Sequence, residues 1–509
     1  MRKGRQFSRG RWLTVSYFQV DALEENALAL INKIPPEILS LIPNYWEDSD
    51  RDTCLIGLTH VCRSWRELFT SFPLLWTRLD CTSIDKTKTY IERSKSSPLE
   101  IYLKRSEDWS YREEALVLAA TQVGRLSAIS ALGDSTKVLT LLVKHFSFPA
   151  PPLKKLDIKH YRHYHPALIL PNELFNGDLS SLRELCLYGV ITPLPWRGLS
   201  NLTTFSLCCV PENKILLTQL LDFLESAPHL CHITFFKSIP NSSNAPAERL
   251  VSLPHLKGLW ISAQPAYSVL LNHLSIPAGA TLTLKLTLGG DESPILSHLP
   301  KSLKNLNNLS HIISINLYLG SEHHSAMLNG PSGGLHIRGN WTPVGDGRNG
   351  PTSLFLRSLD KFDLSRNQWL AVTRCDDRPR PDTQVVAYPL YQILHPMEDL
   401  RILTLTQCTN LPFILTLNPT QNPDKIVLCP KLEKITLYIE RPRQLRIDEL
   451  LSMAEGRALG GAKLSGITIV SSETLLPTEL FRLREHVSHV EYKLDDEVPA
   501  WDALQGTKG

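Results

Sequence analysis

Beyond residue 98 one pattern of apolar and polar positions keeps returning: apolar-x-x-apolar-x-apolar. It reads Leu153-Leu156-Ile158, Leu182-Leu185-Leu187, Leu202-Phe205-Leu207, Leu230-Ile233-Phe235 and Leu256-Leu259-Ile261. It continues as Ile312-Ile315-Leu317, Leu359-Phe362-Leu364, Leu400-Leu403-Leu405, Leu432-Ile435-Leu437 and Leu464-Ile467-Ile469, with weaker copies at Leu99-Ile101-Leu103 and Leu282-Leu284-Leu286. Successive copies mostly fall about 25–32 residues apart, a period that marks stacked repeats. The last two apolar positions alternate with polar ones, as in a strand with one buried face. Between copies lie helical patterns at 112–124, 214–227 and 448–456. No single unit can bury its own apolar face, but stacked units share a continuous core. The expected fold class is α/β: a solenoid with a curved parallel sheet and helices on its outer side. A doubly wound sheet also alternates strands and helices, but the recurring phrases SSL, SNL, PHL and PKL before the strands favour repeats. The x positions should then face outward: Asp157, Ser206, Thr234, Trp260, Asn316, Asp363, Thr404 and Thr436. Trp260, Asp157, Asn316 and Asp363 are the candidate contacts for a target, with Trp260 the strongest because an exposed Trp is a common interface anchor.

The first eighty residues follow another rhythm. Pro35 and Pro36 suit a helix start, where a missing N–H costs nothing, and Glu37 complements the positive helix end. Ile38, Leu39, Leu41 and Ile42 form an apolar patch, and Pro43 stops the helix. Leu58, Val61, Cys62, Trp65, Leu68 and Phe69 then lie at helical spacing, predicting one amphipathic helix with Thr53 as its N-cap. A Leu75-Trp76 turn closes the segment.

In order, Ile34-Pro35, Glu37-Ile38-Leu39, Val61-Cys62-Arg63, Trp65 and Leu75-Trp76 resemble an F-box, and the stretch through residue 105 resembles the expanded fungal F-box families. Pro43 and the charged linker at 47–52 depart from the family pattern. The repeats resemble the irregular leucine-rich repeats that follow many F-boxes. The resemblance implies a substrate-recognition subunit of a Skp–cullin–F-box ubiquitin ligase. Its F-box would dock on a Skp-type adaptor, and through it a cullin, using Ile34, Pro35, Ile38, Leu39, Ile42, Leu58, Val61, Trp65, Leu68 and Trp76. The alternative is a leucine-rich-repeat scaffold in which these helices are only a structural cap.

The implied organisation is a disordered basic arm at 1–20, the F-box module at 21–80, and a connector with the first repeat strand at 81–110. The solenoid follows at 111–494, with loop insertions near 320–350 and 375–384, and then a tail at 495–509. The Gly-, Asn- and His-rich composition of 320–350 predicts a loop with at most a short strand at Leu335-His336-Ile337.

Charge and chemistry narrow the function. A net charge of +3 over 509 residues gives no electrostatic case for nucleic acid or a membrane surface. No apolar run is long enough for a membrane span. Ten scattered cysteines without a C-x-x-C pair read as reduced, buried thiols of a cytoplasmic or nuclear protein. There is no phosphate-binding loop, nucleophile elbow or zinc-protease motif. His160, His163 and His165 do not match a metal-ligand spacing, and Cys62 reads as a small core residue rather than a reactive thiol. The expectation is a non-catalytic protein without cofactors, acting by holding a target close to a conjugating enzyme.

Overall fold

A computed structural model describes residues 30–46, 50–103, 112–133, 136–161, 168–170, 174–177, 179–191, 199–210, 215–238, 249–263, 267–288, 299–300, 302–320, 323–341, 355–356, 358–375, 390–407, 410–422, 424–439, 447–471 and 477–494. The arm at 1–20, the tail at 495–509 and nearly all of the insertion at 375–384 lie outside the described residues. The chain forms two compact units, Met1–Ala131 and Leu132–Gly509.

In the first unit, α1 is Pro36–Leu39, with Pro36 at its first turn and Glu37 beside it. It is followed by α2, Arg51–Thr59, and α3, Arg63–Ser71. The single amphipathic helix expected through Val61 and Trp65 is therefore two helices. His60 closes α2 by donating its N–H to the Gly57 carbonyl at 2.9 Å. Cys62 is extended, and its Sγ accepts the Trp65 N–H at 3.5 Å. Cys62 is thus the N-cap of a new helix, satisfying one of its unpaired donors, rather than a core residue on a continuous stripe. Thr53 lies inside α2, whose N-cap position is Asp50. Three parallel strands follow: β1, Arg78–Leu79; β2, Leu99–Leu103; and β3, Leu126–Gly133, with Leu79, Ile101 and Ile129 in register. Helices α4, Ile84–Arg93, and α5, Glu113–Ala120, pack on each other.

The second unit is built on a long, mostly parallel ladder. Its first strands are β4, Lys155–His160; β6, Glu184–Tyr188; β8, Thr204–Cys208; β9, His232–Phe236; β11, Gly258–Ala263; and β13, Thr281–Leu288. The short strands Leu168–Ile169 and Val190–Ile191, here β5 and β7, pair beside them, as do Val251–Ser252 and Leu274–Ser275, here β10 and β12. Leu156, Leu185, Phe205, Ile233, Leu259 and Leu282 share one row across this ladder, and Ile158, Leu187, Leu207, Phe235, Ile261 and Leu284 the next. All twelve are buried. A slip of one residue in any strand would turn its apolar pair to solvent, so burial pins the register.

The connections repeat as well. Before each strand an apolar residue donates its N–H back three residues: Leu182 to Leu179, Leu202 to Leu199, Leu230 to Ala227 and Leu256 to Leu253. These turns are where the SSL, SNL and PHL phrases fall. After β6, β8 and β9 one residue takes a positive φ, at Gly189, Cys209 and Lys237. Each donates its N–H to the end of the next strand, to Cys208, Phe236 and Ser262 respectively. On the buried face, Leu217–Ser226 forms a helix with Leu217, Leu220, Leu221, Phe223 and Leu224 inward. The Phe223 ring lies 4.5 Å from that of Phe205.

The ladder changes hand once. After β13 the chain forms β14, Ser314–Gly320; β15, His323–Asn329; and β16, Gly334–Trp341. It is β16, not β14, that pairs with β13 in parallel. β15 runs antiparallel to both β16 and β14, and β14 then pairs in parallel with β17, Trp369–Cys375. From there β18, Ile402–Gln407; β19, Lys434–Ile439; β20, Gly466–Ser471; and β21, His489–Leu494, continue the parallel order. The segment expected to be loop thus supplies two full strands. Its glycines fit that role: a Cβ at Gly334 would lie 2.4 Å from the Leu328 carbonyl oxygen, so only glycine permits this tight hairpin return. The expected strand at Leu359-Phe362-Leu364 is a turn instead, around the 3-10 segment Ser358–Lys361, and the strand begins at Trp369.

Candidate functional site

The helical module is held by aromatic residues from its own sequence. Trp76 is 1% exposed and Trp65 6%. The Trp65 ring meets Phe69 edge-on at 5.6 Å, and Trp76 meets Tyr90 edge-on at 5.0 Å. The Trp76 indole N–H donates to the Phe69 carbonyl at 2.9 Å, and the Arg93 guanidinium stacks over its ring at 4.3 Å. Leu39, Leu55, Phe69 and Leu75 complete this core.

A charged cluster clamps α2 to the following helix. Lys86 Nζ lies 2.6 Å from Asp52 Oδ2 and 2.6 Å from Asp80 Oδ2, and the Tyr90 hydroxyl donates to Asp52 Oδ1 at 3.3 Å. Burial alone would raise the Asp80 carboxyl, but the Lys86 hydrogen bond and charge, with Thr82, hold it below its ordinary value. Burial works against the Lys86 ammonium, but its two carboxylates outweigh that and raise it. Burial, then the nearby Asp52 charge, pushes the Tyr90 hydroxyl up. This clamp was not legible in the sequence, because Asp52, Asp80 and Lys86 form no motif.

The ten residues expected at an adaptor surface divide into three groups. Leu39, Trp65 and Trp76 are core residues and present no side chain to a partner. Ile42, Leu58 and Leu68 are half-buried. Ile34, Pro35, Ile38 and Val61 are open, with Ile38 53% and Val61 59% exposed. Three further apolar side chains in the same unit are open and went unnoticed in the sequence: Tyr45, Ile56 and Leu74, the last 69% exposed. The only sequence signal for Leu74 is its place before the buried Leu75-Trp76 pair.

Of the four expected target contacts, three lie in the middle outward row of the ladder. Asp157, Cys186, Ser206, Thr234, Trp260 and Thr283 are neighbours across consecutive strands. Asp157 is engaged by Lys159 at 2.8 Å. Trp260 is half-exposed and stacks on Phe236, with ring centroids 5.8 Å apart and planes 13° from parallel. Asn316 shares the outward parity on β14 but is buried. Asp363 is on no strand; its carboxylate accepts the Ser365 N–H and hydroxyl, and those bonds lower its carboxyl from the ordinary value.

The thiols are less uniformly buried than expected. Cys81 and Cys429 are buried, whereas Cys54, Cys62, Cys186, Cys208, Cys209 and Cys231 are half-exposed. Burial, then the charge of Asp80, pushes the Cys81 thiol up to about 12; burial, then the charge of Asp157, does the same to Cys186. Neither is activated as a nucleophile. Among the described residues no group of His, Cys, Asp and Glu is placed to hold a metal ion, and no helix is long and apolar enough to cross a membrane.

Two helices separated by a capped break, a Leu-Trp turn locked onto the second of them, and open apolar side chains around that core describe a small docking module. Residues 31–82 match the family model of the F-box-like domain. The chain therefore carries an F-box-like domain followed by a large mixed α/β region. F-box domains are generally non-catalytic adaptors of ubiquitin ligases, and that general role is the one the match supports. No curated protein matches the chain.

Proposed function

We propose that this protein is the substrate receptor of a Skp–cullin–F-box ubiquitin ligase, with the F-box-like domain docking on a Skp-type adaptor and the repeat ladder binding the target. The observation that carries the reading is the split within residues 31–82: a self-contained aromatic core beside open Ile34, Ile38, Val61 and Leu74. A module that satisfies its own core and still exposes large aliphatic side chains is built to cover them with a partner. The ladder is read as an irregular leucine-rich-repeat solenoid, supported by in-register apolar rows, a repeated turn before each strand and a helix on the buried face. The ligase gains rate by presenting a target lysine at high effective concentration, which needs no active site in this chain.

The test is co-purification of the full chain with a Skp-type adaptor. Wild type should bind, and an Ile38→Glu/Val61→Glu double variant should lose binding while keeping its far-UV circular dichroism. A wild-type chain that leaves the adaptor in the flow-through overturns the reading.

A further inference from the structure

The outward rows of the ladder are not chemically even. On β4 and β6 each acid is matched by a lysine: Asp157 with Lys159 at 2.8 Å and Glu184 with Lys155 at 2.9 Å. On β21, Glu491 lies 3.3 Å from Lys493. From β8 through β9, β11, β13 and β16, the described outward positions carry no Asp or Glu at all. They carry Phe236 and Trp260 stacked on one another, Lys285 and Arg338 opposite each other on adjacent strands, and His336 beside Arg338. Lys237, which follows β9, sets its ammonium 5.6 Å from the Phe236 ring centroid. Lys237, Lys285 and Arg338 are exposed, and among the described residues none of them has a carboxylate partner.

We propose that this patch binds an acidic peptide segment of the target protein, with an aromatic or large aliphatic side chain seated against Phe236–Trp260 and glutamates or aspartates paired to Lys285, Arg338 and Lys237. The inference rests on the receptor reading above and adds the chemistry of its target. Strands lie about 4.8 Å apart, so Lys285 is two strands, about 10 Å, from Phe236, within reach of acidic residues flanking one anchor in an extended segment. An aromatic pair supplies affinity, and uncompensated cations supply selection and fast encounter. Two features favour a peptide over nucleic acid. Phe236 and Trp260 already cover one face of each other, leaving no ladder of open rings for successive bases. The chain's net charge is only +3, far from the footprint of a phosphate-backbone binder.

The experiment uses the full-length chain and fluorescence anisotropy with a labelled glutamate-rich peptide carrying one central tryptophan. Binding should weaken as salt is raised. The Lys285→Glu/Arg338→Glu variant should bind about tenfold more weakly. Trp260→Ala should weaken the tryptophan peptide about tenfold and leave unchanged a peptide with alanine at the centre. Lys434→Glu, on the distant strand β19, should alter binding less than about twofold. Equal binding by the charge-reversed variant, or tighter binding of a lysine-rich peptide or a single-stranded oligonucleotide, overturns the proposal. Adaptor co-purification is scored on the same proteins. Peptide binding without adaptor binding defeats the ligase reading alone, and adaptor binding without peptide binding defeats this inference alone.

Discussion

The Trp76 indole N–H donates to the Phe69 carbonyl across a buried turn at 2.9 Å. Phe69 lies in the last turn of α3, where helix carbonyls have no partner within the helix. The bond therefore caps α3 from the following segment. Trp76→Phe keeps a ring beside Tyr90 and Arg93 but strands that carbonyl. It should cost about 1–3 kcal/mol, and Trp76→Ala about 3–5 kcal/mol. Urea unfolding followed by near-UV circular dichroism measures both.

Lys86 sits between Asp52 and Asp80 and neutralises both. Lys86→Met leaves two carboxylates facing each other and should cost about 1–3 kcal/mol, between the values for exposed and buried pairs. The pH dependence has a definite sign. Asp80 titrates below its ordinary 3.8 in the folded chain, so its contribution is complete above that pH and is lost as pH falls through the depressed value. Lys86 is raised above 10.5, so its contribution is complete below that pH and is lost as pH rises through the elevated one. The stability gap between wild type and Asp80→Asn should be widest near neutrality and shrink below pH 3.8.

Two glycines should respond oppositely to alanine. At Gly189, with φ +64°, an added Cβ would lie 2.2 Å from the His160 carbonyl oxygen. Gly189→Ala should destabilise by more than about 1 kcal/mol, because both the backbone and the neighbouring strand resist it. At Gly57, inside α2, nothing lies within 4 Å of that position. Gly57→Ala should stabilise by about 0.5–1 kcal/mol. Thermal melts of the two variants test the pair.

The open and closed residues of the F-box-like domain should separate by phenotype. Val61→Glu on the surface should change stability by no more than about 0.5 kcal/mol. Leu39→Ala in the core should cost about 2–5 kcal/mol. Chemical denaturation distinguishes them, and similar losses at the two sites would place Val61 in the core.

The alternation Leu156-Ile158, repeated at Leu185-Leu187 and Leu403-Leu405, carried the strands because period two is a direct consequence of strand geometry. What failed was arithmetic across a break. Leu58, Val61 and Trp65 keep helical spacing only if one helix runs through them, and a cysteine N-cap at position 62 interrupts it without a Gly or Pro to announce the change. Leu359-Phe362-Leu364 matched the repeat spacing because a turn returning three residues also places apolar residues at i and i+3. Residues 323–341 were hidden by composition: their glycines serve a tight strand hairpin, and glycine weighs toward a loop when read in isolation. Among the expected target contacts, Trp260 was legible from parity alone. The burial of Asn316 and the off-strand place of Asp363 depend on the tertiary path.

The antiparallel strand β15 acts on the ladder as a dislocation acts on a crystal. In an uninterrupted array each strand docks on the one made just before it, so growth is local. Here β14 is made before either strand that separates it from β13, and the gap closes only when β16 zips along β13. The ladder thus has two growth fronts, one ending at β13 and one starting at β14, joined by a late, long-range seam. Repeats could be gained or lost on either side of that seam during evolution without disturbing the count on the other, while the seam itself must be kept whole.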